Sequence, residues 1–67
     1  MAAKNNLRSL RKALGYSLQE LAVEAKMAPS TLVMIELYGH MPRPAVRQKL
    51  VQALGVSEEQ IFPETED

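Results

Sequence analysis

Ser17-Leu18-Gln19-Glu20-Leu21-Ala22-Val23-Glu24-Ala25-Lys26-Met27-Ala28-Pro29-Ser30-Thr31-Leu32-Val33-Met34-Ile35-Glu36 is the run from which the rest of the chain is read. It parses as two short helices joined by a tight turn. Ser17 followed three residues later by Glu20 is a capping box: the serine oxygen accepts an otherwise orphaned amide, and the glutamate reaches back to the serine N–H. Leu21, Ala22 and Ala25 then fall on one helical face. The turn covers about Lys26 to Ala28. Pro29 suits the first position of a second helix, because the N–H it lacks would be unpaired there and its φ is already helical. Leu32, Ile35 and Glu36, at i, i+3 and i+4, form that helix's inner face.

The flanks supply the rest of a core. Helix one spans about Lys4 to Leu14, with Leu7, Leu10, Arg11 and Leu14 at helical spacing and Gly15 as its stop. Arg11 interrupts an otherwise apolar stripe. A buried arginine needs a partner, and Glu36, also on an inner face, is the natural one. A fourth helix starts near Pro44, carries Val46, Leu50 and Leu54 inward, and ends at Gly55. Ser57 with Gln60 repeats the capping-box pattern and opens a last turn, where Ile61 and Phe62 close the core before Pro63. Residues 1–63 are read as one domain with the two-helix motif at about 17–36, and 64–67 as an acidic, frayed tail. No strand pattern, internal repeat, linker or low-complexity segment appears. The expected fold is all-α, a compact bundle of about five short helices containing a helix-turn-helix.

Composition narrows the function classes. A chain of 67 residues has room for one small core, which gains from packing against a second copy. Without cysteine there are no disulfides or thiolate metal sites, and the single histidine, His40, cannot build a metal site alone. No cofactor or metal is expected. Neither a Ser-His-acid constellation nor a glycine-rich phosphate loop is present, so an enzyme is not expected and no small-molecule substrate is evident. The methionines read as gap-filling core or surface rather than ligands. The longest unbroken apolar run is Leu32 to Ile35, far short of a membrane span, and a soluble cytoplasmic protein is expected. Formal charge is zero but unevenly placed. Residues 1–57 carry eight Lys and Arg against three Glu, a net +5, while 58–67 carry five acids and no base, a net −5. A basic body with an acidic tail is a split found in nucleic-acid binders.

Two short helices around a tight turn form the unit that many DNA-binding proteins place in the major groove. The residues Leu10-Arg11, Gly15-Tyr16-Ser17, Glu20-Leu21-Ala22, Ser30-Thr31-Leu32, Ile35-Glu36, Pro42, and Ala53-Leu54-Gly55-Val56-Ser57 with Ile61-Phe62 carry a more specific likeness. On them the chain resembles the lambda-repressor-like, Xre/Cro-type helix-turn-helix family over nearly its whole length. The resemblance implies an internal Arg11–Glu36 ion pair, a core position for Tyr16, and a mostly dimeric transcriptional regulator whose second motif helix enters the major groove. The chain itself is read as a small regulator that acts without an attached ligand or protease domain.

Carried over residue by residue, the family's base-reading positions fall on Pro29, Ser30, Val33 and Met34. Its backbone-contacting positions fall on Leu18, Lys26, Thr31, His40, Arg43 and Arg47. Several depart from the family pattern. Arginine or glutamine is common where Pro29 and Met34 stand, and neither of these makes a bidentate bond to a base edge. The usual phosphate-contacting glutamine aligns with Leu18, and the glycine common in the turn aligns with Lys26. Two readings stay open. In one, Ser30 bonds a base edge or phosphate, Val33 and Met34 touch thymine methyls, and helix-terminal amides with Lys26, Arg43 and Arg47 hold phosphates. In the other, Val33, Met34 and Leu37 form an exposed apolar patch that binds a protein. Lys4, Arg8 and Lys12 read as solvated charge on the outer side of helix one, with one of them open to a phosphate contact. A homodimer is expected, joined through the Gly55–Phe62 end together with exposed apolar residues of helix four.

Overall fold

The computed structural model describes residues 5–63. They form five helices: α1 (Leu7–Ala13), α2 (Leu18–Glu24), α3 (Pro29–Tyr38), α4 (Pro44–Leu54) and α5 (Glu58–Ile61). No strand occurs among the described residues. The all-α, five-helix expectation holds, with α2 and α3 as the motif; the acidic tail 64–67 lies outside the described residues.

Each helix starts and stops for a chemical reason. At α2 the Ser17 oxygen accepts from the Glu20 N–H at 3.0 Å, and the Glu20 carboxylate accepts from the Ser17 N–H at 2.8 Å. The pair at Ser57 and Gln60 does the same for α5. Pro29 and Pro44 each open a helix at a position where a missing N–H is harmless. Gly55, at φ +70°, takes the left-handed conformation that ends α4, one that a Cβ would strain.

Helix α1 is shorter than its periodicity suggests. Lys4 lies outside the described residues, and Asn5 and Asn6 are not helical. Their amides do other work. Asn5 Oδ1 accepts the Leu7 N–H while its Nδ2 donates to the Ile35 carbonyl at 2.9 Å. Asn6 N–H donates to the Ile61 carbonyl at 2.8 Å, which ties the approach to α1 to the end of α5. Short polar side chains that bond the backbone locally compete with helix formation, and here they win. At the other end Leu14 caps α1 and stays half exposed, so it leaves the core that its spacing implies.

The core is one cluster. Leu7, Leu21, Leu32, Ile35, Leu50, Ile61 and Phe62 are fully buried, with Ala22, Ala25 and Leu54 filling around them. Leu10, Tyr16, Leu18, Met27, Val51 and Val56 pack against its rim, and Val46 is half-buried. Every helix contributes, so none of the five is independently stable. Buried Ala22 on α2 and Ala25 at its C-cap carry small side chains into the core, where α2 packs against α3.

Candidate nucleic-acid interface

The motif is held from behind by charge. Arg11 and Glu36 are both buried, and they meet side-on: Nε donates to Oε2 at 2.7 Å and Nη2 to Oε1 at 3.1 Å. The third nitrogen, Nη1, donates to the Tyr16 carbonyl at 2.9 Å. This fork fixes α1 to the inner face of α3 and to the segment leading into α2. The geometry is the planar, bidentate kind that offsets desolvation of both ions.

The outer face of α3 is what the fork presents. Ser30, Val33, Met34 and Leu37 recur at i, i+3, i+4 and i+7, on the side opposite Leu32, Ile35 and Glu36. Ser30 and Pro29 are exposed, Met34 is 46% and Leu37 56% exposed, and Val33 and Thr31 are half-buried. The structure therefore brings together all four residues assigned to base reading. No side chain caps α3 at Ala28, and no acidic residue lies in its first turn, so its positive end is not neutralised locally. Beyond Leu37 the apolar surface continues through Tyr38, 72% exposed, and Met41, 42% exposed.

The residues assigned to the DNA backbone are scattered around this helix and differ in what they can do. Lys26 is exposed and sits in the turn at φ +58°, the left-handed position for which a glycine is best suited. It borders a small polar recess with Glu24, Lys49 and Gln52, which brings it to the same recess as a lysine of α4, a proximity that sequence spacing conceals. His40 is exposed, with its backbone N–H on the Met34 carbonyl at 3.1 Å. Arg43 is exposed at the start of α4.

Arg47 has a different task from the one its charge suggests. Its Nε donates to Glu58 Oε2 at 2.9 Å and its Nη1 to the Pro42 carbonyl at 2.7 Å, while Gln48 holds the other Glu58 oxygen. Arg47 fastens the loop after α3 and the start of α5 to α4. Part of the acidic C-terminal charge is thus consumed inside the fold, an arrangement that becomes visible only once the capping box puts Glu58 at the head of α5.

Leu18 carries no donor in its side chain and is half-buried against the core. It lines a groove of about 280 Å³ with Arg8, Arg11, Val33, Glu36 and Leu37. Arg8 is therefore beside α3, rather than on a remote outer face of α1. Its spacing of three from Arg11 is the signal that places it there.

Comparison with known proteins agrees with this geometry. Five short helices with a capped α2, a tight turn and an α3 pinned by a buried ion pair define a helix-turn-helix protein. Residues 7–61 match the family model described as Helix-turn-helix, and the chain belongs to that lambda-repressor-like family of DNA-binding transcriptional regulators. Among solved structures it is similar to the restriction-modification controller protein C.AhdI from Aeromonas hydrophila. The two share 28% identity with a TM-score of 0.78, over 85% of this chain and 86% of that one. No curated protein matches the chain. No described helix is long and apolar enough to cross a membrane.

Proposed function

We propose that the protein is a sequence-specific, repressor-type regulator that lays the outer face of α3 in the major groove of double-stranded DNA. The observation that carries this reading is the uncharged row of exposed Ser30, half-buried Val33 and exposed Met34 on a helix whose other side is fixed by the Arg11–Glu36 fork. Ser30 donates to a base edge, and Val33 and Met34 meet thymine methyls, the one apolar feature of the major-groove code. Lys26, Thr31, His40 and Arg43 position the duplex through its phosphates. Its action is binding rather than catalysis, in the cytoplasm, with no cofactor. The likeness to a controller protein supports the same reading.

A pair of copies is the working form, because one α3 offers only a few base contacts. Two copies with their α3 helices about one DNA turn apart, ~34 Å, fit a near-palindromic site. Selection from randomised duplex DNA, run at two salt concentrations, tests the proposal. It should return a near-palindrome with thymines at fixed positions. Recovery of no preferred sequence overturns it.

A second reading is favoured by Leu37, Tyr38 and Met41, exposed large apolar side chains that follow Met34 along the chain. In that case the face is a protein-binding surface. Val33, Met34 and Leu37 would each cost the partner more than ~1 kcal/mol on truncation, and DNA binding would be indifferent to Met34.

A further inference from the structure

Within the groove beside α3, the charges do not balance. Arg8, Arg11, Leu18, Val33, Glu36 and Leu37 line it. Arg11 and Glu36 neutralise one another through two hydrogen bonds and are buried. Leu18, Val33 and Leu37 are apolar. Arg8 is exposed and forms no ion pair among the described residues, which leaves the groove with one net positive charge at its open side.

We infer that Arg8 is the cation that grips a DNA phosphate on the α1 side of α3. The inference rests on the DNA-binding reading of α3. Arg8 borders the groove beside Val33 and Leu37 and carries a planar fork of donors that matches two phosphate oxygens at once. Its anchor is firm. Leu7 beside it is fully buried and Arg11 is locked to Glu36, so the backbone of α1 at Arg8 is fixed relative to Val33 and Leu37. Only the side chain must be ordered on binding. The ligand is a phosphodiester on the strand that flanks the groove filled by α3. It carries no base identity, so this contact contributes affinity and register rather than specificity.

The test is the salt dependence of DNA binding for the parent, Arg8→Ala, Arg8→Lys and Lys12→Ala. Each is measured on a sequence selected with the parent and on an unrelated duplex, with helicity checked by circular dichroism. Lys12 removes the same charge from α1 but does not line the groove. Arg8→Ala should weaken binding to both duplexes by the same factor and flatten the log–log salt slope by about 0.9, the value for one phosphate contact. Arg8→Lys should keep most of the slope while losing some affinity, as a point charge replaces a fork. Lys12→Ala should leave the slope at the parent's value. An Arg8→Ala variant that binds with the parent's slope, or one matched by Lys12→Ala, overturns the inference while leaving the reading of α3 intact. A parent that selects no sequence defeats that reading itself, and with it this inference.

Discussion

Arg11 has all three guanidinium nitrogens satisfied, two by Glu36 and one by the Tyr16 carbonyl. Removing either partner leaves the other charged and buried. Arg11→Ala should therefore cost ~3–5 kcal/mol in denaturant unfolding, a large part of the stability of so small a domain. Replacing both by apolar residues of similar volume should recover much of that loss, because two desolvation costs then vanish together. A single Arg11→Ala variant that unfolds at the parent's midpoint contradicts the pairing. Lys26 is the opposite case, a residue under strain. A side chain with a Cβ at φ +58° gives up about 1–2 kcal/mol, while glycine's extra freedom in the unfolded chain returns about 0.4–1 kcal/mol of that. Lys26→Gly should thus raise the unfolding free energy in the absence of DNA by about 0–1.6 kcal/mol, and the denaturant midpoint with it. A fall in the midpoint would show that the turn is not strained at Lys26.

At the level of elements, the motif was readable because its signals are local. The Ser17–Glu20 box, Pro29 and the row Leu32, Ile35 and Glu36 act within one or two helical turns, and all take their expected places. Arg11 and Glu36 are 25 residues apart, yet each broke an apolar stripe, and two such breaks in one small core have only each other to meet. What sequence concealed depends on packing between distant elements. Asn5 and Asn6 look like a helix start until their amides find Ile35 and the end of α5. Arg47 looks like free basic charge until Glu58 and the Pro42 carbonyl claim it. For the candidate site this leaves Arg43 as the exposed arginine at the head of α4. If α3 reads DNA, Arg43→Ala should weaken all sequences alike and flatten the salt slope by about one unit. An effect confined to one sequence would assign Arg43 to a base instead.

Across the whole molecule, the described residues measure 28 × 25 × 20 Å, a size at which two copies set side by side span one turn of DNA. The Gly55–Phe62 end gives little of itself to such a pairing. Ile61 is fully buried and Phe62 is 1% exposed within the single chain, so the large apolar groups that would form a dimer seam there already close the core. Val51, Ala53 and Val56 remain as partly buried surface at that end. The most exposed large apolar side chains are elsewhere, with Leu14 at the end of α1, Val23 on α2, and Met34, Leu37, Tyr38 and Met41 along α3 and its following loop. A dimer in solution is expected to be weak and to strengthen on DNA. Sedimentation at tens of micromolar, with and without a selected duplex, checks this; monomer alone in both conditions contradicts it.

Reading of DNA by the uncharged face of α3 stands or falls on a methyl group. Replacing a thymine of a selected site by uracil removes that methyl and leaves every hydrogen-bonding group in place. Equilibrium binding of the parent and of Met34→Ala to the two duplexes forms a double-mutant cycle. At one thymine position the parent should lose about 0.8 kcal/mol on the change to uracil, the value of one buried carbon, and Met34→Ala should lose little or nothing further there. Equal losses for parent and variant at every position, or a parent indifferent to uracil throughout the site, would show that Met34 does not read the sequence.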